Sequence, residues 1–226
     1  GVRPPGLRLH CRNVIPHARG LGSSSAAIVA GVTLGRALVA GGALLLDDDR
    51  VLDLCAGLEG HPDNVAPAQL GGFVVAGRDD DGGFYAVPCP VDPRVGAVVM
   101  VPPTPVSTEQ ARGLLPATVP HADAAADAGR AALLVAALAG QPEHLLRATR
   151  DYLHQDYRRP AMPESLELVD RLRADGVAAV VSGAGPTVLA FCDGPATALT
   201  ASLLERCPAG WWASYLALDT SGVRVL

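Results

Sequence analysis

A run of two glycines and three serines near the start of the chain constrains the fold more than any other feature. Residues 16–27 read PHARGLGSSSAA. Ahead of them, residues 7–12 alternate apolar and polar side chains, which predicts a half-buried strand. Behind them, residues 26–40 are rich in Ala, Leu and Val and contain no proline, which predicts a buried helix. The run therefore predicts a tight glycine turn that joins a strand to a helix whose first residues are the three serines.

The first turn of such a helix is suited to bind an anion. Its backbone N–H groups have no partner within the helix, and they lie at the positive end of the helix dipole. Gly20 and Gly22 let the backbone bend and approach a ligand, and the serines can bond phosphate oxygens or offer a hydroxyl to Mg²⁺. The alternative is that Ser23 is an ordinary N-cap. A cap needs one serine and the run offers three, so we favour anion binding.

The charged side chains narrow the possible chemistry. The chain has eighteen arginines and no lysine, so the run lacks the Gly-Lys-Ser/Thr of a Walker loop. A lysine phosphate clamp, a Schiff base and a pyridoxal phosphate linkage are excluded from these 226 residues. The net charge of −5 argues against nonspecific binding of nucleic acid. A phosphate bound here would depend on local dipoles, arginines and metal.

The cysteines and the hydropathy pattern bear on location. Five cysteines are spread along the chain without a C-x-x-C pair, which fits buried thiols in a reducing compartment. The sequence shows neither a signal peptide nor a membrane span. We therefore expect a cytoplasmic protein.

The pattern of the remaining segments predicts an α+β fold. Aspartates at 47–49 are typical of a helix start, and a domain boundary is expected close to Asp92. The other predicted elements are helices at 122–139, 143–155, 163–174 and 196–206, and strands at 71–76, 84–87, 95–101, 177–181, 188–191 and 212–218. Without the additional helices, the second half has the order β-α-β-β-α-β, the split βαβ arrangement of a ferredoxin-like layer.

A second polar cluster, residues 59–67, reads EGHPDNVAP between apolar segments. Glu59 and Asp63 can hold Mg²⁺ or a substrate amine, because both prefer carboxylate oxygens, and His61 can position a hydroxyl. The alternative is a turn in which Asp63 and Asn64 bond the local backbone. The spacing of these residues does not decide between the two.

A third cluster and two arginines complete the candidates. Residues 182–187 read SGAGPT, which alone would indicate only a turn between strands. Arg112 and Arg158 lie in polar surroundings, and each can clamp a carboxylate with two hydrogen bonds. The alternative for both arginines is a solvated surface position.

Taken together, the three clusters resemble the motifs of the GHMP kinases. Residues 16–27 resemble the phosphate loop of that family, and residues 182–187 resemble its C-terminal glycine motif. Residues 59–67, followed by Gly71 and Gly72, are similar to the homoserine kinase branch in particular. The order and separation of the motifs agree over essentially the whole chain.

The resemblance implies a two-domain α+β fold. Residues 1–92 would form a ribosomal-protein-S5-like N-terminal domain that carries the phosphate loop, and residues 93–226 a ferredoxin-like C-terminal domain. Family members carry a further N-terminal segment with a Pro-x-Ser-x-Asn-Leu-Gly type motif, and nothing like it occurs before Pro16. The expectation is a truncated chain with an incomplete first domain.

The activity implied by the resemblance is phosphoryl transfer from ATP to the side-chain hydroxyl of L-homoserine, which gives O-phospho-L-homoserine in threonine biosynthesis. ATP and Mg²⁺ would be required, and relatives suggest a homodimer. Two alternatives remain open. One is a truncated, noncatalytic GHMP-like module that binds nucleotide, and the other is a GHMP kinase for another small alcohol. The paired arginines favour an acceptor that bears a carboxylate.

The resemblance also implies roles for individual residues. The nucleotide-binding set would be Pro16, Arg19, Gly20, Leu21, Gly22, Ser23, Ser24, Ser25 and Ala26. The substrate-binding set would be His61, Asp63, Arg112, Arg158, Ser182, Gly183 and Gly185. The catalytic set would be Ser24, Glu59 and Asn64, with Ser24 and Glu59 as the Mg²⁺ ligands. Many relatives have another acid two positions before Glu59, where this chain has Gly57. Asp63 is expected to bind substrate, and no residue stands out as a strong base.

Overall fold

The computed structural model describes residues 6–226 and divides the chain into two compact units. The described part of the first unit comprises residues 6–16, 22–89 and 219–226, and the second unit comprises residues 17–21 and 90–218. The family-domain limits predicted above, 1–92 and 93–226, stay a prediction. The first five residues of that first domain lie outside the described residues.

The chain forms helices and strands in an irregular alternation. The helices are α1 Ser23–Ala37, α2 Gly42–Leu45, α3 Asp48–Glu59, α4 Val65–Leu70, α5 Thr108–Gly113, α6 His121–Gly140, α7 Leu145–Ala148, α8 Gln155–Arg158, α9 Pro163–Ala174 and α10 Ala198–Glu205. Short 3-10 helices cover Pro142–His144 and Arg159–Ala161. The strands are β1 Phe73–Arg78, β2 Phe84–Cys89, β3 Gly96–Val101, β4 Ala179–Val181, β5 Val188–Cys192 and β6 Trp212–Leu216.

The first unit is built on helices packed against a hairpin. Asp47 caps α3 by accepting a 2.9 Å hydrogen bond from the backbone N–H of Arg50, so the aspartate run begins a helix as predicted. Val29 of α1 is buried with Val51 and Cys55 of α3. The antiparallel hairpin β1–β2 packs on the same cluster. This packing fixes the start of α1 over the end of α3.

The second unit contains a four-stranded antiparallel sheet in the order β4-β5-β3-β6. Strand β3 is buried along its whole length, and residues of α9 and α10 such as Leu166 and Leu203 share its core. The chain order β3-α9-β4-β5-α10-β6 is the split βαβ arrangement. The predicted α+β class is therefore confirmed.

Two sequence predictions of secondary structure are wrong. Residues 7–12 form no strand, because an alternating pattern of apolar and polar residues does not by itself supply a neighbouring strand to pair with. Leu7 and Leu9 are 59% and 67% exposed. The helix predicted at 143–155 is broken between α7 and α8. There the Thr149 hydroxyl bonds the carbonyl of Leu145 and the Asp151 carboxylate accepts backbone N–H groups, which competes with helix formation.

The helix predicted after the glycines, with the three serines as its first residues, begins at Ser23 as predicted and ends at Ala37, three residues before the predicted end at 40. It is also less buried than expected, since only Ser25, Val29 and Thr33 are buried along it. Between residues 6 and 226, no helix is long and apolar enough to cross a membrane.

Candidate active site

The start of α1 is a helix terminus without a side-chain cap. Its N-cap residue is Gly22, which has a left-handed backbone (φ 71°, ψ 23°) and cannot offer a capping side chain. The alternative interpretation of Ser23 as an ordinary N-cap is therefore wrong, because Ser23 is the first residue inside the helix. The first turn of this 15-residue helix contains no acidic residue. Its dipole and its first-turn amides suit a phosphate.

Two serines of this turn contact the carboxylate that ends α3. The Ser24 hydroxyl donates to Oε2 of Glu59 at 2.6 Å, and the Ser25 hydroxyl donates to Oε1 at 3.0 Å. Ser25 is buried, whereas Ser24 is exposed. The structure thus brings the two predicted metal ligands together, with Ser25 holding the carboxylate from its buried side.

The oxygens of Ser24 and Glu59 suit Mg²⁺. This ion prefers hard oxygen ligands, and proteins commonly bind it through one or two side chains while phosphates and water complete the shell. Residues 6–226 contain no group of three or more His, Cys, Asp or Glu side chains able to hold a metal. Mg²⁺ at this position would therefore depend on the phosphate oxygens of a nucleotide.

The polar cluster at 59–67 turns out of α3 and into α4. His61 Nδ1 pairs with the carboxylate of Asp63. Asn64 precedes α4 without forming a capping hydrogen bond, so the local-turn interpretation does not describe it. Its Oδ1 lies 3.7 Å from where a Cβ on Gly22 would be. Asn64 thus lies beside the start of α1.

Residues 17–21, which we call the held segment, are fastened within the second unit to the turn at 182–187. The hydroxyl of Ser182 donates to the carbonyl of Gly20 at 2.7 Å, and the N–H of Thr187 donates to the carbonyl of Arg19 at 3.3 Å. The guanidinium of Arg19 donates through Nε to the carbonyl of Pro102 at 2.9 Å and also bonds the carbonyl of Pro103. The side chain of Arg19 therefore anchors its own loop to backbone carbonyls.

Arg158 is a buried cation without a full set of partners. Its side chain is 8% exposed, and it donates through one NH group to the carbonyl of Gly183 at 3.0 Å. Its buried Nε has no hydrogen-bond partner. Burial lowers the pKa of Arg158, the carboxylate of Asp151 opposes this, and the neighbouring guanidinium of Arg112 lowers the pKa further. Two guanidiniums whose charges repel each other, one of them with an unused buried donor, favour the binding of an anion.

Known proteins share both the sequence and the architecture of this chain. Residues 1–72 match the GHMP kinases N terminal domain, and residues 131–209 match the GHMP kinases C terminal model. A homoserine kinase of Streptomyces avermitilis is 54% identical over the whole chain, which covers 73% of that protein. The chain belongs to the homoserine kinase family of GHMP kinases.

Further homoserine kinases agree with this membership. The homoserine kinase of Clavibacter michiganensis is 50% identical over 98% of this chain, and the chain covers 70% of that protein. The crystal structure of homoserine kinase from Cytophaga hutchinsonii has a TM-score of 0.79 at 25% identity, and the match covers 93% of this chain and 69% of that one. The predicted family is confirmed.

Sequence reasoning about this homoserine kinase family member missed two residues near Arg158. Asp151 lies in the loop before α8, where its carboxylate accepts the N–H groups of Leu153 and His154 at 3.1 and 3.0 Å. Gln155 accepts the N–H of Val181 through its side-chain oxygen at 2.6 Å. The signal for the first was an aspartate followed by residues whose amides it can bond, which is typical of an Asx turn. The contact of Gln155 spans 26 residues and leaves no local signal.

Proposed function

We propose that this chain transfers the γ-phosphoryl group of ATP to the side-chain hydroxyl of L-homoserine. The bond between the γ-phosphorus and the β,γ-bridging oxygen breaks, a new bond joins that phosphorus to the acceptor oxygen, and ADP leaves. The hydroxyl proton passes to solvent. The products are ADP and O-phospho-L-homoserine, an intermediate of threonine biosynthesis. Membership of the homoserine kinase family supports this reaction.

The observation that carries the choice of acceptor is the unpartnered Nε of buried Arg158 beside Arg112. A carboxylate would fill that donor and offset the repulsion between two cations. L-Homoserine has such a carboxylate, whereas a neutral sugar has none. Ser182, Gly183 and Gly185 would then serve by shaping the turn whose carbonyl holds Arg158, rather than by direct contact.

The first turn of α1 would bind the phosphates of ATP. Transfer of a phosphoryl group passes through a loose transition state, so alignment and neutralisation of charge matter more than covalent participation. Backbone amides at the start of α1 would meet the charge that develops between the β- and γ-phosphates. Ser24 and Glu59 would hold Mg²⁺, which supplies positive charge to the phosphate oxygens when bound.

The residues of the polar cluster would orient the acceptor. Asp63, paired with His61, would bind the ammonium group, and Asn64 would lie beside the phosphate-binding turn. Asp63 is assigned to binding and not to proton transfer. The expected result for Asp63→Asn is therefore a raised KM for homoserine with a nearly normal kcat. A collapse of kcat at unchanged KM would contradict the assignment.

The test of the function is ADP release from Mg·ATP in the presence of L-homoserine. Parallel reactions contain mevalonate, galactose or no acceptor, and one homoserine reaction contains EDTA. We expect turnover only with homoserine and its loss on chelation. Nucleotide binding without homoserine-dependent ADP release would favour a noncatalytic module, and turnover with another alcohol would replace the acceptor. The homodimer and the cytoplasmic location implied by the resemblance stay predictions.

A further inference from the structure

The loop between α7 and α8 is organised by the carboxylate of Asp151. This carboxylate accepts the backbone N–H groups of Leu153, His154 and Gln155, and it contacts Nδ1 of His154 at 3.0 Å. Burial alone would raise the pKa of Asp151, but the hydrogen bonds from His154, Gln155 and Leu153 outweigh it and lower the pKa to about 2. Asp151 is therefore ionised throughout the physiological range, and it sets the point at which α8 begins.

Helix α8 is too short to hold its position by itself. It has four residues, and isolated helices need about 12 to 15 residues to be even marginally stable in water. Its position depends on bonds to its surroundings. Gln155, at its start, accepts the N–H of Val181 at 2.6 Å, and Arg158, at its end, donates to the carbonyl of Gly183 at 3.0 Å. Asp151 fixes the entry to this helix.

The charge of Asp151 also acts on Arg158. It opposes the lowering of the Arg158 pKa that burial and Arg112 produce. Loss of the carboxylate would thus remove the turn that starts α8. It would also remove the negative charge that favours the charged form of buried Arg158. Both changes converge on one side chain, the guanidinium of Arg158.

We propose that Asp151 is a positioning residue that, through α8, places the guanidinium of Arg158 for the carboxylate of the acceptor. The identity of that acceptor rests on the function proposed above. The placement of Arg158 itself rests on the contacts of the loop and of α8, so the two can be tested separately.

The first measurement observes Arg158 without any turnover. The Nε–H signals of arginines are recorded by ¹H–¹⁵N correlation NMR, and Arg158 is assigned by the signal lost in Arg158→Lys. We expect Asp151→Asn to shift or broaden this signal. The matched control is Asp156→Asn, which removes an exposed carboxylate of α8 that pairs with Arg159 and should leave the Arg158 signal in place. An unchanged signal in folded Asp151→Asn would overturn the proposal.

The second measurement tests whether Asp151→Asn weakens recognition of the acceptor carboxylate. The ratio of kcat/KM for L-homoserine to that for L-homoserine amide reports recognition of the carboxylate. We expect Asp151→Asn to lower this ratio about tenfold, by displacing a group that must be held within a fraction of an ångström, while the KM for ATP changes less than about twofold. Asp156→Asn should leave the ratio unchanged. An equal loss with both acceptors would mean a purely structural role and would overturn the proposal.

A double-mutant cycle separates action through Arg158 from other effects. In an Arg158→Met background, Asp151→Asn should change the ratio less than about twofold; an undiminished effect would contradict action through Arg158. If Asp151→Asn does not fold, Asp151→Ser keeps an acceptor for the turn and replaces it in every measurement. If the parent chain turns over neither acceptor, the proposed function fails, and the NMR signal still decides the placement of Arg158.

Discussion

Gly20 and Gly22 have the same backbone φ but different surroundings. Each has φ of 71°. A Cβ on Gly20 would lie 2.1 Å from the carbonyl oxygen of Ser182, a distance that no real contact shows. A Cβ on Gly22 would have Asn64 Oδ1 as its nearest neighbour, at 3.7 Å, which is ordinary contact. Packing therefore demands the first glycine, whereas the second leaves space at the start of α1.

The side chains around the two glycines show the same contrast. In the held segment, the guanidinium of Arg19 donates hydrogen bonds to backbone carbonyls. In residues 22–26, which we call the open segment, Ser24 is exposed and shares the carboxylate of Glu59. One continuous motif in the sequence thus consists of an anchored half and a half in which an exposed serine bonds Glu59. Substitutions in the two halves should fail in different ways.

The largest effect is expected for Gly20→Ala. The added Cβ meets backbone and not a flexible side chain, and a left-handed φ adds strain. We expect a loss of about 3 kcal/mol or more in the free energy of unfolding, since backbone must move to relieve the clash. Urea denaturation monitored by circular dichroism measures it.

The matched control for this substitution is Gly31→Ala in α1, where a Cβ meets nothing within 4 Å. There alanine should stabilise the helix by about 0.5–1 kcal/mol. A Gly20→Ala variant as stable as the parent chain would mean that the held segment is not packed closely against the turn at 182–187.

The next largest effect is expected for Ser24→Ala in the open segment. The exposed hydroxyl is a proposed Mg²⁺ ligand, so we expect kcat/KM with homoserine to fall about a hundredfold, near 2.7 kcal/mol of activation free energy. The unfolding free energy should change by less than about 0.5 kcal/mol. The comparison variant is Ser25→Ala, whose hydroxyl is buried against Glu59 and whose loss should lower stability by about 1 kcal/mol. Equal catalytic losses without any loss of stability in Ser25→Ala would show that both hydroxyls face the ligand.

The sequence alone predicted most of what depends on local pattern. The helix that begins with the three serines, the helix start at residues 47–49 and the order β-α-β-β-α-β in the second unit follow from turn chemistry and periodicity, and these predictions are confirmed. The strand at 7–12 was wrong because pairing is a property of two segments, and the sequence of one does not supply its partner.

Contacts between distant residues could not be predicted in the same way. Nothing in the run at 16–27 distinguishes Gly20 from Gly22, since the carbonyl of Ser182 lies 162 positions from the first of them. Nor does the motif predict that the side chain of Arg19 donates to the carbonyl of Pro102. The roles proposed for the site residues stay predictions, while the pairing of Ser24 and Ser25 with Glu59 is a geometric fact on which they depend.

An effect of intermediate size is expected when acid protonates Asp151, whose carboxylate bonds the start of the helix that contacts Val181 and Gly183. Its folded-state pKa of about 2 lies below the ordinary value of 3.8. A lowered pKa means that the carboxylate contributes stability above about pH 4 and loses it as the pH falls toward 2. We expect the stability difference between the parent chain and Asp151→Asn to shrink by about 2 kcal/mol over that interval.

Urea denaturation at pH 5 and pH 2.5 measures this change. The control is Asp156→Asn, which removes a carboxylate of α8 that is 69% exposed. A difference for Asp151→Asn that is equally large at both pH values would show that the carboxylate is not preferentially ionised in the folded chain.

The smallest of these main effects, and the sharpest test of the comparison, is expected for Gly22→Ala. Strain from a left-handed alanine should cost about 1 kcal/mol, without the additional clash that Gly20→Ala suffers. The new methyl group would occupy the space beside Asn64 at the uncapped start of α1. The KM for ATP should therefore rise severalfold, although most of the protein stays folded. Gly31→Ala, in the same helix but away from its start, should leave that KM unchanged. If Gly22→Ala destabilises the chain as much as Gly20→Ala, the surroundings of Gly22 exclude a Cβ as strictly as those of Gly20, and the proposed contrast between the two segments is wrong.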